Sequence, residues 1–278
     1  MATRSPAADP KTDCVDRMIY EICTQTDVGL MRDNNEDALA FDAATQLCIL
    51  ADGMGGYNAG EIASGMAVAF IKSEMARWLS QAGKLANARE VRQALEICVE
   101  NANHSIFNAA HSNPQYAGMG TTLVVGVFQG DRLLLGHIGD SRCYRLRGQA
   151  FQQITKDHSL LQEQIDAGLI SPEQAMTSPI RNLVTRALGV EDTVLVEVNE
   201  HRVEAGDIYL MCSDGLSDML VDEEIAAILL GSETLEKKAR QLIVAANAAG
   251  GHDNISVLMA CAREDFGKRG LLSRMLGK

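Results

Sequence analysis

Apolar positions recur along the chain with two different spacings, and the changes of spacing divide it into strands and helices. Short apolar runs bounded by turn-forming residues predict strands, which cover residues 19–24, 38–41, 47–51, 121–128, 132–138, 142–146, 194–198, 207–212 and 255–261. A helical spacing of apolar residues predicts three long helices over residues 59–79, 89–110 and 233–249. Blocks of strands with helices inserted between them predict antiparallel sheets packed on each other, with the helices outside.

No internal repeat or linker divides the chain, so the pattern predicts one domain over residues 18–264. The polar, proline-bearing residues 1–17 predict a flexible tail, and residues 265–278 predict a second, basic tail. Residues 155–189 interrupt the series of strands with polar sequence, two prolines and a short helical piece. We call this segment the flap, and we expect it to lie over one end of the sheets.

Composition and charge exclude several classes of function. The net charge of −12 and the pI near 4.9 argue against a nucleic-acid-binding protein, whose surface would be basic. No stretch predicts a membrane span, and the N-terminus lacks the apolar core of a secretory signal. The seven cysteines are scattered and form no Cys-x-x-Cys pair, which indicates a reducing compartment. We therefore expect a cytoplasmic protein, and a monomer by default.

Acidic residues stand where the apolar strands end or begin. Asp52, Asp140 and Asp214 each follow a strand, whereas Glu36–Asp37 and Asp253–Asn254 each precede one. In an antiparallel sheet the end of one strand and the start of the next share an edge, so the five sites are expected to converge on one rim. Clustered carboxylates repel one another unless cations neutralise them. The pattern therefore predicts a metal site.

The glycine-rich stretch after Asp52 has two other interpretations. Asp-Gly is a common hairpin pair, but the sequence after Gly53 predicts a helix and not a returning strand. The run through Gly56 also suggests a phosphate-binding loop, but it lacks the Gly-Lys-Ser/Thr of a P-loop and has Asn58 where a dinucleotide-binding loop has glycine. Oxygen ligands without Cys or His pairs favour Mg²⁺ or Mn²⁺. Two such ions about 4 Å apart would bind a phosphoryl group and supply a bridging hydroxide for in-line attack.

Seven motifs in a fixed order give the chain a family resemblance. They are Thr26-Asp-Val-Gly29, Arg32-Asp-Asn-Asn-Glu-Asp37, Asp52-Gly-Met-Gly-Gly56, Gly120-Thr-Thr122, Gly139-Asp-Ser-Arg142, Ser213-Asp-Gly215 and Asp253-Asn254. Together they resemble the metal-dependent (PPM, type 2C) serine/threonine protein phosphatases, in particular the compact bacterial members, over residues 19–262. The resemblance implies an α+β fold in which two stacked antiparallel β-sheets are sandwiched between α-helices, a four-layer αββα arrangement with an inserted flap.

The resemblance also implies how the acidic positions would bind two Mn²⁺ or Mg²⁺ ions. Asp52 would bridge both ions. Asp214 and Asp253 would complete the shell of one ion, and the carbonyl group of Gly53 would serve the other. Asp140 would bind a third, weaker ion beside the flap.

Further roles follow from the resemblance for the residues around these ligands. Asp37, with Glu36 nearby, would act mainly through metal-bound waters. Arg32 would hold the substrate phosphate, a role that suits its bidentate guanidinium group. Asn254 would orient Asp253 or a water molecule. The expected catalytic set therefore comprises Arg32 and four of the aspartates, Asp37, Asp52, Asp214 and Asp253.

The implied activity is hydrolysis of phosphoserine and phosphothreonine in proteins, opposing a bacterial Ser/Thr kinase of the Hanks type. Two alternatives stay open: a phosphatase of an anti-sigma-factor antagonist, and a catalytically inactive relative that binds phosphoproteins. Tyr57 departs from the family pattern, because many bacterial relatives have histidine there and tyrosine is a poor proton donor near pH 7. The acid that protonates the leaving group is therefore not identified. His158 is expected to position the flap and not to catalyse.

Overall fold

The computed structural model describes residues 18–56, 59–82, 86–171, 174 and 183–265. Several predictions fall outside this part of the chain. They concern the tail at residues 1–17, nearly all of the C-terminal tail, Tyr57, and residues 172–173 and 175–182 of the flap.

Eleven strands, numbered β1 to β11 in chain order, form two antiparallel sheets within the described residues. The first sheet has the order β1 (Met18–Asp27), β11 (Ile255–Glu264), β10 (Ile208–Cys212), β7 (Arg142–Arg147) and β8 (Ala150–Gln153). The second has the order β2 (Asp37–Asp42), β3 (Leu47–Met54), β5 (Leu123–Gln129), β6 (Arg132–Ile138) and β9 (Glu197–Arg202), and the short β4 (Gly120–Thr121) pairs with the end of β3.

Helices cover the outer face of each sheet. The long helices α1 (Ala59–Ala82) and α2 (Ala88–Ser112) pack on the second sheet, whereas α5 (Asp222–Leu230) and α6 (Leu235–Ala248) pack on the first. Two short helices, α3 (Leu160–Asp166) and α4 (Asp214–Ser217), and a 3₁₀ turn at Pro114–Tyr116 complete the described helices. The predicted α+β fold with four αββα layers is confirmed. None of these helices is both long and apolar enough to cross a membrane.

Alternation of side chains along β5 shows how the layers are specified. Val125 and Val127 point toward the core under α1 and α2, whereas Val124 and Phe128 point into the core between the two sheets. Because successive residues of a strand face opposite sides, an uninterrupted apolar run can serve two cores at once. The continuous apolar runs in the sequence are therefore strands buried on both faces.

The structure corrects the strand predicted at 194–198 and adds a helix. The strand predicted at 194–198 begins only at Glu197, where pairing with β6 starts, while Val194 and Val196 pack against the helical core without strand pairing. Helix α5 was not predicted, because its buried face consists of only Ile225 and Leu229, too few apolar positions to establish a helical period.

Truncating one leucine between the sheets should destabilise the protein far more than truncating an exposed one. Leu135 lies between the sheets and is 1% exposed, whereas Leu195 is 82% exposed. We expect Leu135→Ala to lower the free energy of unfolding by about 2–5 kcal/mol because it leaves a cavity. Leu195→Ala is the matched control and should change it by less than about 0.5 kcal/mol. Denaturant unfolding of the two variants measures this difference, and equal losses would contradict the assigned layers.

Candidate active site

The acidic residues meet where the two sheets present their strand ends side by side. Asp37, the first residue of β2, pairs directly with Asp52 of β3 in the second sheet. From the first sheet, Asp214 follows β10 by two residues and Asp253 precedes β11 by two. Asp140 lies in the connection between β6 and β7, which crosses from one sheet to the other. The carboxyl group of Asp52 interacts electrostatically with the other four, so the predicted convergence on one rim is present in the structure.

Burial dominates the electrostatics of this cluster. It raises the pKa of Asp37 to about 7 and that of Asp140 to about 6. The pKa values of Asp52 and Asp214 also lie well above their ordinary value, first because burial disfavours their charged forms and then because neighbouring carboxylates repel their negative charge. The protein thus places several carboxyl groups where their charged forms are disfavoured without a counter-charge.

Two oxygen atoms of the cluster have unsatisfied hydrogen-bonding capacity. Asp37 Oδ1 and Asp214 Oδ1 are buried, and neither has a hydrogen-bond partner within the described residues. A buried carboxylate oxygen without a partner is costly, and both side chains also interact with the charges of neighbouring carboxylates. Oxygen-rich clusters of this kind suit hard divalent cations such as Mg²⁺ or Mn²⁺. The donor set of this rim therefore fits the predicted ions.

Hydroxyl groups that sequence reasoning did not assign hold the two central aspartates. Ser213 donates a hydrogen bond of 2.8 Å to Asp37 Oδ2. The Asp52 backbone N–H donates to the Thr122 hydroxyl at 3.0 Å, and the Thr121 hydroxyl donates to the Asp52 carbonyl oxygen at 2.8 Å. The only signal in the sequence was their place in the motifs Gly-Thr-Thr and Ser-Asp-Gly.

Strand β3 continues past the predicted end at residue 51, because Gly53 and Met54 pair with β4. Asp52 therefore lies within a paired strand and not in a loop. A side chain at Gly53 could not be accommodated, since a Cβ there would lie 2.1 Å from the carbonyl oxygen of Gly60 in α1. The Gly53 N–H donates to the Glu36 carbonyl oxygen at 3.1 Å, so glycine lets three segments meet at the rim.

Asn254 ties the loop before β2 to the start of β11. Its side-chain oxygen accepts from the Glu36 N–H at 2.7 Å, and its amide nitrogen donates to the carbonyl oxygens of Val28 and Asn34 at 2.9 and 2.8 Å. Its backbone N–H donates to Asp253 Oδ1 at 2.8 Å. Asn254 thus contacts Asp253 as expected, but through its main chain, while its side chain organises the loop.

Arg32 lies at the exposed side of the rim. Its Nη2 is 2.7 Å from Asp253 Oδ2, and about half of its side chain, 51%, is exposed. The negative charges of Asp253, Glu36 and Asp214 lie close enough to favour its charged form. Glu36 is partly buried, and burial raises its pKa while the nearby Arg32 opposes that rise. A guanidinium beside a carboxylate cluster can receive an anion that approaches from solvent.

His137 and His158 form a separate pair of rings. His137 and His158 stack on each other with ring centroids 4.8 Å apart, on the flap side of β6. The negative charge of Asp140 raises the pKa of both Asp52 and Asp214. The structure brings together all seven predicted metal-binding positions, and the turn that carries Asp140 contacts His158 of the flap.

Comparison with known proteins gives the arrangement a context. A family model described as protein phosphatase 2C matches residues 32–252. The serine/threonine phosphatase stp of Listeria innocua is 40% identical over 242 residues, covering 84% of this chain and 93% of that protein. The protein phosphatase PhpP of Streptococcus pneumoniae is 37% identical over 248 residues, covering 88% of this chain and 98% of that protein.

A solved structure with a similar fold contains metal ions. The catalytic domain of the serine/threonine protein phosphatase PstP, in complex with two manganese ions, has a TM-score of 0.77 and 38% sequence identity, covering 88% of this chain and 99% of that one. The resemblance inferred from the motifs is confirmed by these matches, which extend over most of the described residues. The chain therefore belongs to the protein phosphatase 2C family.

Proposed function

We propose that this chain is a manganese- or magnesium-dependent protein phosphatase that hydrolyses phosphoserine and phosphothreonine. The observation that carries the proposal is the pair of buried, unpartnered oxygens on Asp37 and Asp214 within a cluster of five aspartates. The phosphatase names of the relatives and the two manganese ions of the PstP catalytic domain agree with it. An inactive phosphoprotein-binding relative is disfavoured, because the aspartates of the cluster are all in place.

Some residues of the cluster would bind the metal ions, and others align the residues that do. Asp52, Asp214 and Asp253, together with the Gly53 carbonyl group, would hold two ions, and Asp140 a third. When bound, such ions neutralise phosphoryl oxygens and lower the pKa of water so that hydroxide is available near neutral pH. Ser213 keeps the Asp37 carboxyl group aligned by its 2.8 Å hydrogen bond.

Arg32, at the exposed side of the rim, would orient the substrate. Its half-exposed guanidinium can form two hydrogen bonds to one phosphate, which would hold the phosphorus in line for attack. Asp253, to which Arg32 is hydrogen-bonded, keeps the guanidinium directed at the metal-binding carboxylates. Glu36 lies beside both and would act, like Asp37, through water.

The partners we propose are proteins phosphorylated by a bacterial Ser/Thr kinase. A cytoplasmic location accords with the cysteines, since all six in the described residues, Cys14 not being among them, are free thiols. A purified Ser/Thr kinase from the same genome supplies the test, because its autophosphorylated form should lose phosphate to this chain in the presence of Mn²⁺. A kinase that stays phosphorylated while p-nitrophenyl phosphate is turned over would contradict the pairing alone.

Removing one charge from the centre of the cluster should abolish turnover and yet stabilise the metal-free protein. We expect Asp52→Asn to lose turnover of p-nitrophenyl phosphate with Mn²⁺ by at least about 1000-fold, as happens when a group essential to transition-state stabilisation is lost. Because the charge of Asp52 is partly desolvated and repelled by other carboxylates, the metal-free variant should melt several degrees above the parent at pH 8. Asp192→Asn, in an exposed loop, is the control. Retained turnover would contradict the assigned role of Asp52.

The stability of the metal-free protein should fall as the pH rises. Asp37 binds its proton more tightly in the folded chain, with a pKa of about 7, than in the unfolded chain. Its contribution to stability is therefore complete below about pH 4 and is lost as the pH rises through about 7. Thermal melts in EDTA between pH 5.5 and 8.5 should show this loss, and Mn²⁺ should reverse it. A melting temperature in EDTA that rises over this range would contradict the account.

Replacing Arg32 should weaken the enzyme toward phosphorylated substrates without disturbing the fold. Loss of a charge-assisted pair is worth about 1.5–3 kcal/mol, so kcat/KM for a phosphopeptide should fall by about 10- to 100-fold in Arg32→Ala. Arg32→Lys should recover only part of this loss, because an ammonium group cannot form the bidentate contact. Arg240→Ala on the exposed face of α6 is the control. Full recovery by lysine would argue against bidentate phosphate binding.

A further inference from the structure

Outside the aspartate cluster, two buried histidines and a partly exposed glutamate in the described residues form a group that the proposed chemistry does not use. His137 of β6, His158 of the flap and Glu197 of β9 offer nitrogen and oxygen atoms that all lie within 4.8 Å of one another. Both histidines are buried, and His158 is only 7% exposed. The group lies against the turn that carries Asp140.

His158 is bonded to that turn at two points. The backbone N–H of His158 donates to the carbonyl oxygen of Gly139 at 2.9 Å, and the backbone N–H of Gly139 donates to Nδ1 of the His158 ring at 3.2 Å. Gly139 has a φ of +98°, and a Cβ there would lie 2.7 Å from the Thr122 side chain. The backbone next to Asp140 therefore adopts a conformation that favours glycine. His158 contacts both the N–H and the C=O of Gly139.

The bond to Gly139 determines the protonation state of the ring. A nitrogen that accepts a hydrogen bond needs its lone pair, so Nδ1 is unprotonated and the neutral ring carries its proton on Nε2. Burial, helped by His137 and Arg186 and opposed by Glu197, lowers the pKa of His158, which favours this neutral form. Protonation of Nδ1 would place one N–H against another and break the contact with Gly139.

Glu197 faces the other side of the ring. Its Oε2 lies 3.5 Å from His158 Nε2, and its Oε1 accepts a hydrogen bond of 2.9 Å from Asn199. His158 Nε2 has no closer partner in the described part of the chain. A carboxylate opposite Nε2 favours the tautomer that carries a proton there, which leaves Nδ1 free to accept from Gly139.

The three side chains also resemble a zinc ligand set of two histidines and one glutamate. A neutral imidazole has only one unprotonated ring nitrogen. In His158 that nitrogen is Nδ1, which accepts from Gly139, so Nε2 carries the proton and has no lone pair for zinc. The Nε2 of His137 is likewise engaged, 2.8 Å from the carbonyl oxygen of Lys156. The hydrogen bonds therefore favour a structural group over a metal site.

We propose that His158 is a positioning residue for Asp140: its ring and main chain fix the Gly139–Asp140 turn, and Glu197 fixes the ring. The carbonyl oxygen of His158 also accepts from the Thr185 N–H at 2.8 Å, so the same residue joins the two ends of the flap to the rim. The proposal rests on the proposed function, in which Asp140 binds the weakest of three ions. In this proposal His158 strengthens the binding of that ion and takes no part in the chemistry.

Calorimetric titration with Mn²⁺ of the full chain tests this assignment by binding and not by turnover. In His158→Leu the dissociation constant of the weakest ion should rise by about 10- to 100-fold, the usual effect of losing a group that orients a metal ligand. The two tighter ions should bind as in the parent. His158→Asn is the matched control, since the Asn side-chain oxygen can replace Nδ1 as acceptor and should restore most of the affinity.

A second pair of variants separates a specific effect from general loosening. In the Asp140→Asn background, which should itself lose the weakest ion, His158→Leu should cause no further change in Mn²⁺ binding. The proposal is overturned if His158→Leu weakens all ions equally, or if it leaves the weakest ion unaffected. It is also overturned if the parent binds only two ions, whereas phosphatase activity of the parent would still support the proposed function.

The ring itself provides a test that needs no variant. Nitrogen-15 NMR of the parent should show His158 Nδ1 as an unprotonated ring nitrogen and Nε2 as a protonated one at pH 7. Glu197→Gln should weaken this preference, since the charge opposite Nε2 is removed. A protonated Nδ1 in the parent would remove the acceptor for Gly139 and would contradict the proposed contact.

Discussion

Repulsion among buried carboxylates is the constraint on which the rest of this molecule depends. Asp37, Asp52 and Asp214 lie close together and are partly buried, and burial and mutual repulsion raise their pKa values. The unfavourable free energy of such a cluster must be offset by the surrounding fold. Its cores on both sides of each sheet hold the strands in register. A cation then binds a site that is already assembled. Its binding reduces the repulsion among the carboxylates and does not have to create the geometry of the site.

The stacked sheets explain why so few residues suffice to build the site. Two strands of each sheet end at the same rim, and the turn at Asp140 connects one sheet to the other. Short polar contacts then adjust each ligand: Ser213 aligns Asp37, Thr121 and Thr122 hold the main chain of Asp52, and Asn254 secures the loop that carries Glu36. Strand ends position the central aspartates, and Arg32 stands on an exposed loop, where an incoming phosphate can reach it.

Much of this could be predicted from the sequence, because strand ends and acidic residues coincide visibly along the chain. Local spacing places Asp52, Asp214 and Asp253 at strand ends, and antiparallel pairing makes their convergence a matter of geometry. What could not be predicted depends on contacts between distant segments. The side-chain bonds of Asn254 to Val28 and Asn34, the extension of β3 by pairing with β4, and the reciprocal bonds between His158 and Gly139 leave no periodic trace in the sequence. The start of β9 shifted for the same reason, since strand pairing and not apolar character defines it.

The central claim is that the rim carries protons when it is free of metal and exchanges them for divalent cations. Titration calorimetry with Mn²⁺ in two buffers of different ionisation enthalpy measures the protons released per ion bound. The raised pKa values of Asp37 and Asp140, about 7 and about 6, predict that Mn²⁺ binding releases protons at pH 6 and that this release declines toward pH 8.5. Binding without proton release at pH 6, or no binding of Mn²⁺ at all, would contradict the account.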